Sequence, residues 1–92
     1  MDKLNEIQID ILHELGLAKQ QYPEYPKYII EMLSIMSEKS GEAVQAANNY
    51  NWHKGPKSKI ETELLHTIAT CIRCLEGLEA LRGLEELPEI KE

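Results

Sequence analysis

From Leu4 onward the apolar positions Leu4, Ile7, Ile11, Leu15 and Ala18 recur at intervals of three and four, with Ile9 and Leu12 widening the stripe. That spacing keeps one face of a helix apolar and predicts a first amphipathic helix, weakened locally by Gly16. The Tyr22-Pro23-Glu24-Tyr25-Pro26 segment then forces an extended connection, because each proline biases the residue before it away from helical backbone. A second helix is expected to begin near Pro26 or Lys27. It runs through Ile29, Ile30, Leu33, Met36, Ala43, Val44, Ala46 and Ala47 to about Asn48, with Ser40 and Gly41 as poor helix formers inside it.

The following stretch, NNYNWHKGPKSK, holds a glycine, a proline, three asparagines and three lysines with no apolar period, and reads as a loop. Ser58 and Glu61 have the spacing of a capping box, which starts a third helix. This helix carries Ile60, Leu64, Leu65, Ile68, Ala69, Ile72, Leu75, Leu78 and Leu81, enough apolar surface to be buried on more than one side. Gly77 and Gly83 interrupt it mildly. From residue 83 to 92 the chain turns charged and is broken by Pro88, which predicts a frayed acidic tail. No alternating strand pattern occurs. The expected fold class is therefore all-α: an antiparallel helical hairpin completed as a four-helix-type bundle by homo-oligomerisation, with residues 1–92 as a single domain.

Size supports the self-association. A chain of 92 residues buries only about two thirds of the surface its unfolded form exposes, so a lone monomer is marginal. A homodimer or homotetramer would cover the surplus apolar surface of the third helix. The net charge of −6 is the wrong sign for gripping nucleic-acid phosphates, and the ten Lys and Arg residues are scattered, so no nucleic-acid partner is expected. Apolar runs are five residues or fewer, far short of the ~20 that span a bilayer. The N-terminal sequence interleaves charged and apolar residues, unlike a secretory signal, and Cys71 and Cys74 make no disulfide framework. A cytoplasmic location is the default expectation.

Candidate chemistry lies on two helices. Glu38 and Glu42 are four residues apart and stack on one face, with Glu31 seven residues before Glu38 on nearly the same line. On the third helix Glu63 and His66 are three apart, and antiparallel pairing could bring both sets together. Carboxylates converging from facing helices are a standard way for a bundle to hold a divalent cation. The same spacing also describes solvated helix faces in an acidic protein.

The run Glu38-Lys39-Ser40-Gly41-Glu42-Ala43-Val44-Gln45-Ala46-Ala47, followed after the loop by Glu63-Leu64-Leu65-His66-Thr67 and Ile72-Arg73-Cys74-Leu75-Glu76-Gly77-Leu78, resembles the all-α nucleoside triphosphate pyrophosphohydrolases of the MazG-like type. The family signature is two adjacent glutamates, two spacers and a third glutamate, then glutamate, two spacers and aspartate. Here 20 residues separate Glu42 from Glu63. The resemblance extends from about Leu12 to Leu78, includes the Tyr-Pro-Glu-Tyr-Pro link, and is nearest to short phage or prophage-type members. It implies that Glu38, Glu42 and Glu63 are catalytic magnesium (or manganese) ligands. It also implies that a nucleoside triphosphate is cleaved to monophosphate and pyrophosphate, with metal-activated water attacking the α-phosphate. Two signature positions differ: Lys39 stands where the second glutamate belongs, and His66, at the fourth metal position, replaces the closing aspartate. An ammonium there competes with a cation, and imidazole suits zinc, manganese or nickel better than magnesium. The alternative is a non-catalytic helical interaction or regulatory protein, or a metal- or nucleotide-binding sensor, on the same fold.

Lys54 and Lys57, with Lys59, flank Gly55-Pro56 and are candidates for meeting a triphosphate, with Trp52 or Tyr50 stacking on a base. The competing reading is a solvated connector, with Trp52 as a hydrophobic lid or subunit contact. Cys71 and Cys74 form a CxxC in mid-helix, away from the helix N-terminus that activates a redox thiol, and are expected in the core. His13 and His53 read as surface side chains.

Overall fold

The computed structural model describes residues 2–26 and 28–84, the side chains of 80–84 excepted. Three helices account for nearly all of it: α1 (Lys3–Gln21), α2 (Ile29–His53) and α3 (Lys57–Leu84). No strand occurs among the described residues, so the all-α expectation holds.

Each boundary has a local cause. Asp2 caps α1, its carboxylate accepting the Asn5 amide at 2.8 Å. The helix stops at Tyr22, the residue before Pro23, whose own amide still closes onto the Ala18 carbonyl. Tyr28 is extended, and α2 begins with Met32 donating to the Tyr28 carbonyl. At its far end α2 outruns the sequence expectation by more than a turn: residues 48–53, read as loop, are helical. Three asparagines weaken a helix without breaking it, and the stop comes only where Lys54 adopts the left-handed conformation, φ 59°. The Gly55 amide then reaches back to the Asn49 carbonyl at 2.9 Å. A Cβ on Gly55 would lie 3.1–3.3 Å from Asn49, which is why a glycine sits in this turn. Pro56 leads directly into α3, so Ser58 is its second residue and not its cap. Residues 83 and 84, assigned to the frayed tail, still belong to α3, and the rest of that tail lies outside the described residues.

α3 is the central element. Contacts of Met32 with Cys74, and of Glu42 with Glu63, show α2 antiparallel to it. Contacts of Glu14 with His66, and of Lys19 with Glu76, show α1 parallel to it. Both helices pack on α3 and, among the described residues, not on each other. The result is a V-shaped cleft with α3 as its floor. Arg73 fixes the α1 wall: its guanidinium donates to the carbonyls of Ala18 (3.3 Å), Tyr22 and Glu24 (3.4 Å) and lies 5.0 Å from the centre of the Tyr25 ring. Tyr25 in turn donates to Glu76 at 3.0 Å, and Glu76 pairs with Lys19 at 3.1 Å. Gly77 lets α2 close on the other side, since a Cβ there would sit 2.7 Å from the Met32 sulfur.

The core is small. Among the described residues only Leu15, Met32, Ala46 and Ala69 are buried apolar side chains, while fifteen large hydrophobic ones are exposed. Cys74 is half-buried, donating to the Met32 carbonyl at 3.5 Å, and burial raises its thiol pKa. Cys71, expected in the core, is exposed. It lies on the face of α3 that neither α1 nor α2 covers.

Candidate functional site

Glu63 is the one buried charged residue among those described, 3% exposed. Its position follows from α2–α3 packing, which turns this side of α3 toward Glu42 of α2. Lys59, one turn earlier, reaches its Oε1 at 3.1 Å, and the His66 ring, one turn later, lies 3.6 Å from the same oxygen. The Glu42 carboxyl comes within hydrogen-bonding range from α2. No nitrogen or hydroxyl donor reaches Oε2, which is fully buried. Burial alone would push this carboxyl up. Lys59, the hydrogen bond with Glu42 and the His66 charge together outweigh burial and hold it below the usual carboxylate range.

The cluster continues across the cleft. His66 places Nε2 2.9 Å from Glu14 of α1, so its ring bridges Glu14 and Glu63. Lys39 is 4.0 Å from Glu42. Glu38, Lys39, Glu14 and His66 line a cavity of about 660 Å³ between α1 and α2, its floor made by Ala69, Thr70 and Arg73. Leu17, Met32 and Ile35 supply apolar wall, and Glu24 and Glu31 add carboxylates near its mouth.

The structure thus brings Glu42, Glu63 and His66 together, with Glu38 one turn from Glu42 on the cavity side. Lys54, Lys57 and Trp52 are elsewhere: they cap the α2–α3 turn, all exposed, and line no part of the cavity. Trp52 is 73% exposed. Of the three lysines only Lys59 reaches the acidic cluster. Sequence reasoning also missed Glu14 and Arg73. Glu14 was legible only as a polar position next to Leu15 on α1, with nothing to say that α1 would lie along α3.

The fit of this site to a hard divalent cation has two sides. All-oxygen donors from facing helices and an orphaned buried carboxylate oxygen are what such an ion requires. Against that, Lys59 and Lys39 already pair with Glu63 and Glu42, and the His66 ring lies against Glu63 and Glu14. Among the described residues no three acidic, imidazole or thiol groups surround one point as a ligand set. No protein-family model, curated protein or solved structure matches this chain. No helix among the described residues is long and apolar enough to cross a membrane.

Proposed function

We propose that the chain is a MazG-like, divalent-cation-dependent nucleoside triphosphate pyrophosphohydrolase whose site is depleted relative to that family. The observation that carries this reading is the buried Glu63 oxygen without a donor, beside Glu42 of the antiparallel α2 and one turn from His66, which lines the cavity. Uncompensated buried carboxylate oxygens are costly, and a cation is the partner that would satisfy this one. Glu63 and Glu42, with Glu38 swinging in from the cavity side, would hold magnesium or manganese. The ion, when bound, would neutralise phosphate charge and supply an activated water. Lys39 and Arg73 add positive charge to a cavity large enough for a nucleotide. Lys59, 59% exposed at its side chain, is free to leave Glu63 for solvent or phosphate. On the same reading the protein is cytoplasmic and works as a homodimer or homotetramer.

One observation favours a second reading. The run Lys59–Glu63–His66–Glu14 is a continuous set of polar contacts that needs no ion, as expected of a metal-independent nucleotide sensor or an interaction protein. Calorimetric titration with manganese, followed by pyrophosphate-release assays over the deoxy- and ribonucleoside triphosphates, separates the two. Saturable manganese binding lost in Glu42→Gln/Glu63→Gln, with turnover of at least one nucleotide, supports the enzyme. Absence of turnover at high protein concentration removes it.

A further inference from the structure

We infer that the tip of the α2–α3 hairpin, Trp52 with Lys54 and Lys57, is a binding surface for single-stranded nucleic acid. The inference does not rest on the pyrophosphohydrolase reading, because these side chains line no part of the cavity. Summed over the chain the charge is −6, but it is unevenly placed: residues 43–60 carry three lysines and no carboxylate, which leaves −9 on the rest. Every residue from 47 to 59 except Gly55 is exposed, so the stretch lies open to solvent. Lys59 is paired with Glu63, whereas Lys54 and Lys57 meet no carboxylate among the described residues. Lys54 also holds the left-handed position that ends α2, φ 59°, where glycine is the residue of least strain. Folding alone favours glycine there; lysine adds an ammonium fixed at the apex of the turn, two residues from Trp52.

The surroundings of Trp52 select the occupant. Gln45, Asn48 and Asn49, seven, four and three residues earlier, share its side of α2, and all three are exposed amides. The lysines require an anion. An acidic peptide would pair with them but makes no use of an indole face bordered by amides. A membrane surface uses tryptophan and lysine together, but it needs aliphatic side chains to follow the indole below the headgroups, and none stands within two turns of Trp52 on this side of α2. An unpaired nucleotide uses all three groups: its base stacks on the indole, the base edge bonds to the amides, and its phosphates meet the ammonium groups. A duplex keeps its bases stacked on one another and offers the phosphates alone.

The test uses the full chain and its single tryptophan. At low salt, oligothymidylate or oligouridylate of about ten nucleotides quenches Trp52 emission saturably, and the anisotropy of the same strand carrying fluorescein gives the affinity. The association constant falls with salt at a log–log slope of about −1.4 to −2, the value for two or three phosphates met by lysines. Lys54→Gln/Lys57→Gln brings that slope to about −0.7 or shallower, whereas Trp52→Leu weakens binding about tenfold and leaves the slope unchanged. Tyr28→Leu, equally exposed but at the opposite end of α2, stays within about twofold of wild type. The substituted side chains are exposed, and circular dichroism checks that helix content is kept. The inference is overturned by a wild type that neither quenches nor changes anisotropy at ~100 µM, or by a duplex, a free nucleoside triphosphate or polyglutamate binding as tightly as the strand. It is equally overturned by a slope that survives Lys54→Gln/Lys57→Gln, by an affinity unchanged in Trp52→Leu or lost in Tyr28→Leu, or by Trp52 emission that strands leave unquenched and phosphatidylserine vesicles move to the blue.

Discussion

Glu63→Gln separates what the buried carboxylate does for folding from what it holds in reserve. The substitution keeps the shape of a side chain that is 4% exposed and removes its charge. Three contributions decide the stability change at pH 7. The Lys59 pair at 3.1 Å is lost, but with Lys59 59% exposed such a pair is worth about 0–1 kcal/mol. The His66 contact at 3.6 Å is too long to add much. In the other direction the penalty for burying a charge disappears, and the new amide can donate to the Glu42 carboxylate, so the hydrogen bond between the two side chains, worth about 1 kcal/mol, is kept. The expected net change is within about 1 kcal/mol of zero, a Tm shift of no more than about 8 °C for a chain of this size. Urea and thermal unfolding at matched protein concentration measure it.

The pH dependence sharpens the test. The Glu63 pKa is lowered in the folded chain, so its ionised form contributes stability that is complete above the unfolded value, near 4.5, and drains as pH falls through the lower folded value. Glu76, lowered chiefly by its hydrogen bond from Lys19, acts in the same direction. Glu63→Gln therefore flattens the acid limb of the stability curve and leaves the Glu76 part in place. A loss above about 2 kcal/mol at pH 7, or an unchanged acid limb, would show the charge to be a structural requirement and would refute the reasoning.

Three further outcomes are expected. Gly16→Ala, whose Cβ meets nothing within 4 Å, raises stability by about 0.5–1 kcal/mol, whereas Gly77→Ala, pressed to 2.7 Å from the Met32 sulfur, gains none of this; paired thermal melts decide it. Arg73→Met leaves the carbonyls of Ala18, Tyr22 and Glu24 without their charged donor and costs about 2–3 kcal/mol, with amide exchange rising first in residues 18–26. Lys39→Glu with His66→Asp tightens magnesium binding at least about tenfold by calorimetry, since one cation is removed and two hard oxygen donors are added near Glu42 and Glu63; unchanged affinity would mean that these side chains do not share a site.

The three-helix order and the extended prolyl link were legible in the sequence, because helical periodicity and proline sterics are local, whereas the spacing of Glu42 and Glu63 allowed convergence and solvated faces alike. The end of α2 was not legible. Asparagine content suggested a loop, but the stop depends on the left-handed turn at Lys54–Gly55, a conformation set by the close approach of Gly55 to Asn49. Nor could sequence place Lys54, Lys57 and Trp52 away from the carboxylates. Their distance from Glu63 depends on where the turn falls and on which side of α3 each residue emerges.

What only tertiary structure decided is the role of α1. Its apolar stripe foretold that it would pack on something, but nothing local says that it runs parallel to α3 and brings Glu14 to His66. That arrangement comes from contacts between residues some fifty positions apart, Arg73 with the end of α1 above all, and such contacts have no periodic signature in the chain. The pattern of residues chose the helices. The opening of a cleft between two of them, and the bridge that His66 makes across it to Glu14, are consequences of long-range packing.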